Sequence, residues 1–60
     1  MTLEEYDNLE NYDHIFTRDF ELWWVCYISP SGVILKNYDD SDKMITITRE
    51  DDLSNYVVNK

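Results

Sequence analysis

One cysteine, one glycine, one proline and one histidine are all the chain has of the residues that build disulfides, phosphate loops and metal sites. Cys26 stands alone, so no internal disulfide can form, and with His14 as the sole imidazole there is no Cys/His cluster to hold zinc. A single glycine excludes a glycine-rich loop that cradles phosphate. Cations are scarce too. Five Lys and Arg face thirteen Asp and Glu, for a formal charge of −8 over 60 residues. Affinity for nucleic acid comes from basic side chains displacing counterions. Direct binding to DNA or RNA is therefore not expected, nor is docking on anionic lipid. The longest apolar stretch, Leu22 to Ile28, falls far short of the ~20 residues that cross a bilayer. The opening Met-Thr-Leu-Glu-Glu lacks the basic start and apolar run of a signal peptide, and a lone thiol suits a reducing compartment. The expectation is a cytoplasmic protein.

What is present argues for a folded chain. Hydrophobic residues make up 43% and aromatics 15%, whereas disordered chains are poor in both. Sixty residues permit one domain, 1–60, with a core too small for comfort. Ordering the chain costs roughly 1.5 kcal/mol per residue, which so small a core barely offsets. With no disulfide and no zinc site, self-association or a partner remains as the supplement.

The chain reads as α+β: an N-terminal helix packed on a three- to four-stranded antiparallel meander, with a short C-terminal helix as an option. Thr2 and Glu5 fit a capping box, and Leu3, Tyr6, Leu9 and Tyr12 recur every three residues. The expected helix runs from about 3 to 12, with Ile15 and Phe16 able to extend it. Residues 20–29 form the clearest strand, closed by the turn signal Ser29-Pro30-Ser31-Gly32. Gly32 is expected to be the left-handed residue of a bulge, which pairs Ser29 with Val33. A second strand follows at 33–38, and a third at 44–48 after an acidic loop. Ile45 and Ile47 fall on the odd-numbered face if Tyr38 pairs with Met44, and on the even face if the loop is one residue shorter. Residues 53–58 read equally as a short helix and as a fourth strand.

Parity then gives a sheet with two apolar faces. Phe20, Leu22, Trp24, Cys26 and Ile28 share one; Trp23, Val25 and Tyr27, joined by Leu35, share the other. One short helix covers only one face. A bare apolar face marks a contact surface, so the second face is expected to be covered by a second subunit, a partner or the C-terminal segment. Trp23, Val25, Tyr27 and Leu35 are the expected apolar interface.

Catalysis finds little support. His14 adjoins Asp13, but a histidine beside an acid at a helix end is ordinarily a surface residue. Cys26, in mid-strand, is ordinarily a small buried hydrophobe. Asp39, Asp40 and Asp42 crowd one loop, yet the glycine and glutamate of a calcium-binding loop are missing. No catalytic residue, cofactor or metal is expected.

The strongest functional signal is the acidic surface. Residues 1–14 carry Glu4, Glu5, Asp7, Glu10 and Asp13 with no Lys or Arg, and Asp39, Asp40 and Asp42 form a second cluster. In size, acidity and aromatic content the whole chain resembles the small DNA-mimic inhibitors that bacteriophages direct against host proteins. That resemblance implies a cytoplasmic, often dimeric protein that blocks a basic, nucleic-acid-binding host factor. The eight carboxylates just named are the expected contact residues. The alternative is a small assembly module that associates through the apolar sheet face. Affinity for a basic partner would fall steeply with salt, and association through the sheet face would not.

Overall fold

A computed structural model describes residues 1–59. The elements are α1 (Leu3–Asp7), β1 (His14–Thr17), β2 (Leu22–Ser29), β3 (Gly32–Asn37), β4 (Met44–Ile47), a 3-10 turn (Leu53–Asn55) and β5 (Tyr56–Asn59). All five strands join one antiparallel sheet in the order β4-β3-β2-β1-β5. The molecule is mostly sheet with one short helix.

The capping box forms as its spacing predicts. The Thr2 hydroxyl accepts from the Glu5 N–H at 3.1 Å, and the Glu5 carboxylate accepts from the Thr2 N–H at 2.8 Å. The helix is shorter than the 3–12 expected. Asn8 ends it, and the Asp13 carboxylate takes the Glu10 N–H at 2.8 Å, a local bond that competes with helix. The three-residue stripe is only half real: Tyr6 and Leu9 are buried, whereas Leu3 and Tyr12 are exposed. Ile15 and Phe16 do not extend the helix. They belong to β1, where Ile15 is fully buried. Branched and aromatic residues in a run of four gain more from the sheet than from one more helical turn.

The hairpin between β2 and β3 is tighter than expected. Ser29 pairs with Gly32, so the loop is Pro30-Ser31 alone. Gly32 serves a close approach between strands rather than a loop bulge. A Cβ there would lie 3.0 Å from the Ile47 carbonyl oxygen and 3.1 Å from Thr46 Cγ2. The irregularity sits instead in β2, where the register shifts between Val25 and Tyr27. An extra residue reverses the alternation beyond it. Trp23 and Val25 face inward, but past Cys26 it is Ile28, opposite Val33, that takes the inward side. Tyr27, opposite Ile34, turns outward.

Lys36, not Tyr38, opposes Met44, and Leu35 pairs with Ile45 and Val33 with Ile47. Both isoleucines thus join the odd-numbered, inward face. The tail is both things at once. Asp52 caps the 3-10 turn by accepting from Ser54, and β5 then pairs along β1 from Thr17–Tyr56 to His14–Asn59.

The core is the inner face of this sheet. Ile15, Val25, Leu35 and Ile47 are 0% exposed, with Val33, Trp23, Tyr6, Leu9 and Leu53 completing the cluster. The sheet coils rather than lying flat. Ile45 on one edge strand and Tyr56 on the other line the same cleft, and the extents are 27 × 21 × 19 Å. Tyr6, Leu9 and Leu53 lie in the buried cluster on the inner face, and the outer face carries the exposed Tyr12, Tyr38, Met44 and Val57.

Candidate partner-binding surfaces

Placement of charge follows from strand content. None of the thirteen carboxylates lies in a strand; all occupy α1, the turns and the loops. Two groups form at opposite ends of the sheet.

The first is organised by Asn37, a polar side chain only 5% exposed. Its Oδ1 accepts from the N–H of Asp39 and of Asp40, both at 2.9 Å, and its Nδ2 donates to Glu21 Oε2 at 3.0 Å. The Asn37 N–H donates to the Lys43 carbonyl, closing the base of the loop, and the Tyr38 N–H donates to the Leu22 carbonyl. Asp40 in turn accepts from the Asp42 N–H at 3.1 Å. The acidic loop is therefore a built turn. It stands beside the β1–β2 turn, so Asp39, Asp40 and Asp42 share this end with Asp19 and Glu21. Lys43 lies 3.9 Å from Glu21, an exposed pair of small energetic weight.

Glu4, Glu5 and Asp7 lie elsewhere. Glu4 and Glu5 line a depression with Val58 at the far end of β5, and Tyr6 and Arg49 neighbour the Pro30-Ser31 hairpin. Asp7 is ion-paired with Arg49. Six residues of β3 at ~3.3 Å each put roughly 20 Å between this end and the acidic loop. Glu10 and Asp13 bond to one another's backbone in the loop entering β1. The eight carboxylates singled out in the sequence thus do not form one surface.

The expected apolar interface is corrected. Trp23, Val25 and Leu35 are 6%, 0% and 0% exposed and make up the core. Only Tyr27, turned over by the bulge, is exposed. The uncovered apolar face is the other one. Its centre is Trp24, stacked on Tyr12 at 5.8 Å with Lys36 Nζ 5.9 Å from its ring, while His14 meets Tyr38 edge-on at 5.9 Å. Met44 and Val57 extend it towards the edges, both more than half exposed. Alternation alone had marked Trp24 as part of an apolar face. What it lacked was the bulge and the choice of which face the chain covers. Asn37 carried a legible signal as well, since an asparagine two residues before an Asp-Asp pair is an Asx-turn pattern.

Chemistry beyond binding is thinly provided. His14 packs on a ring, and Cys26 is half-buried within the bulge. Among the described residues, no group of three or more His, Cys, Asp or Glu side chains is placed to hold a metal ion. Burial pushes the phenols of Tyr6 and Tyr56 above the ordinary 10.0. Asp52 is held below its ordinary value, chiefly by the Ser54 hydroxyl and N–H, with a smaller pull from Arg18. Among the described residues, no helix is long and apolar enough to cross a membrane. No family model, no curated protein and no solved structure matches the chain.

Proposed function

We propose that the protein is a non-enzymatic inhibitor or regulator that binds a basic, nucleic-acid-binding protein of a host cytoplasm and competes there with nucleic acid. The observation that carries this reading is the acidic loop. The backbone N–H groups of Asp39 and Asp40 are held by Asn37, that of Asp42 is held by Asp40, and the three residues stand beside Asp19 and Glu21. Carboxylates held on a rigid turn take the place of backbone phosphates at low cost in ordering, and their field steers a cationic partner into contact. Glu4, Glu5, Asp7, Glu10 and Asp13 contribute to that long-range field from other parts of the molecule.

The test is a pull-down from host lysate at low and high salt, with bound proteins identified by mass. A basic nucleic-acid-binding protein retained at low salt and released at high salt supports the reading. Its retention by Asp39→Asn/Asp40→Asn/Asp42→Asn at the wild-type level would contradict it.

A second reading rests on the outer sheet face. Exposed Tyr12, Tyr38 and Met44, with Trp24 half-buried beneath the Tyr12 ring, form a largely aromatic surface of the kind that holds subunits together. Under that reading the protein is a small assembly module or a homodimer. Its association tightens with salt, because two copies at −8 repel one another. Sedimentation at two ionic strengths separates the two readings.

A further inference from the structure

The outer face of the sheet holds an open depression of about 230 Å³ walled by Tyr12, His14, Trp24 and Tyr38. All four walls are aromatic rings. Pockets for drug-sized molecules begin near ~300 Å³, so this one has room for a single side chain. Trp24 is half-buried and the other three are exposed. Its neighbours across the sheet are His14 on β1 and Lys36 on β3. Tyr12 stacks on it within 15° of parallel, and His14 meets Tyr38 edge-on. The backbone holds Tyr12 in place. Its N–H donates to the Val25 carbonyl at 2.9 Å, and the Asp13 carbonyl accepts from the Val25 N–H at 2.9 Å. Tyr12 has φ +71° and is 75% exposed. Strain of this kind, a bulky residue kept in the left-handed region, clusters at ligand sites.

The rings already hold a cation. Lys36 Nζ stands 5.9 Å from the centre of the Trp24 ring, within the range of a cation–π contact. The surroundings favour a further cation from outside. Asp13 lies between Tyr12 and His14, Asp39 follows Tyr38, and the whole chain stands at −8. Tyr38 leads directly into the acidic loop, and its N–H is tied to the Leu22 carbonyl. A guanidinium is flat, stacks on aromatic faces and is more weakly hydrated than an ammonium. It suits these rings better than Lys36 does. Nucleic-acid bases also stack on aromatic rings, but their phosphates meet the wrong charge here.

Resting on the proposed affinity for a basic partner, we infer that this pocket receives one arginine side chain of that partner. The guanidinium lies over the Trp24 ring in place of the Lys36 ammonium, with Tyr12, Tyr38 and His14 around it. The acidic loop meets neighbouring basic side chains of the same partner.

The experiment is an NMR titration of the 15N-labelled protein at low ionic strength with a capped pentapeptide that has arginine at its centre and glycine elsewhere. The same peptide with citrulline, which keeps the shape and loses the charge, is the control. With arginine, the Trp24 indole N–H and the Tyr12 and Tyr38 amides are expected to shift, and the peptide's arginine δ-methylene protons to move upfield under the ring current. Trp24→Leu and Tyr12→Leu should each weaken binding about fivefold. Tyr12→Leu keeps the test decisive if Trp24→Leu does not fold. Lys36→Met, which clears the ring, should tighten binding about threefold, and by more than Lys43→Met, which removes the same charge beside the acidic loop. Citrulline bound as tightly as arginine overturns the inference, as does unchanged affinity in both ring variants or a Lys36→Met no tighter than Lys43→Met. If the peptide moves only Asp39 to Asp42, the pocket is wrong and the acidic-loop reading stands. If signals of the outer face shift with concentration in the free protein, a second copy covers it and the inference falls. If the arginine peptide does not bind at all, the inference falls, and the host pull-down alone decides whether the basic-partner reading falls with it.

Discussion

Replacing Asn37 by aspartate exchanges one side-chain donor for an acceptor and removes one hydrogen bond. The oxygen that accepts from the Asp39 and Asp40 N–H groups is kept, but the Nδ2 that donates to Glu21 at 3.0 Å becomes a second acceptor. A charge-assisted bond of about 1.5–3 kcal/mol is lost. In its place two carboxylates face each other at hydrogen-bond distance. At an effective dielectric near 20 their repulsion is of order 4 kcal/mol, reduced because the Glu21 side chain is 42% exposed. A net loss of about 2–3 kcal/mol at pH 7 is expected, against a total stability of roughly 3–9 kcal/mol for a chain of this length. The sign with pH is fixed by linkage. Repulsion raises the folded-state pKa of the new carboxyl above its unfolded value, so the native state binds the extra proton and stability falls as pH rises through that window. On acidification the protonated carboxyl donates to Glu21 and restores the bond. Urea unfolding of wild type and Asn37→Asp at pH 7 and pH 4, followed by tryptophan fluorescence, measures this. A deficit under about 0.5 kcal/mol at pH 7, or one that does not shrink at pH 4, would refute the account of Asn37 as organiser of the loop.

Three further outcomes are expected. Trp23→Ala should cost about 3–5 kcal/mol and leave little folded protein, whereas Trp24→Ala on the outer face should cost about 1 kcal/mol; far-UV circular dichroism during urea unfolding checks the contrast. Gly32→Ala should lose about 1–3 kcal/mol, because the added methyl meets the Ile47 carbonyl of the neighbouring strand, and a melt as high as wild type would contradict the close-approach argument. Tyr6 and Tyr56 are held neutral by burial, so the fold should lose stability as pH rises through and above their ordinary 10.0; alkaline unfolding that is unchanged in Tyr6→Phe/Tyr56→Phe would count against it.

Much of the sheet was legible because its strands obey local rules. Leu22–Ser29 is rich in aromatic and branched side chains, Met44–Ile47 alternates, and a Pro-Ser-Gly signal stands between β2 and β3. The helix start was legible for the same reason, since a capping box is a local bond pair. What escaped was non-local. Ile15 satisfies a helical stripe and a strand equally, and only pairing with Trp23 and Val58 decides for the strand. The bulge at Cys26 leaves no mark in composition, yet it turns Tyr27 outward and Ile28 inward. The candidate site suffered most from this. Trp23, Val25 and Leu35 were grouped correctly as one face, but nothing in the chain says which of two apolar faces its own ends will cover. The acidic residues were found by counting, and counting does not reveal that α1 and the Asp39–Asp42 loop occupy opposite ends of β3.

The claim at the centre is that the loop end of the sheet, and not negative charge in general, holds a basic partner. The direct measurement is calorimetric titration of the captured partner against two charge-neutralised variants over a range of salt. One is Asp39→Asn/Asp40→Asn/Asp42→Asn; the other is Glu4→Gln/Glu5→Gln/Asp7→Asn at the far end. The account predicts that the loop variant loses about tenfold to a hundredfold in affinity and most of the salt dependence, with the far-end variant close to wild type. Equal losses in both variants, or an affinity indifferent to salt, would contradict it.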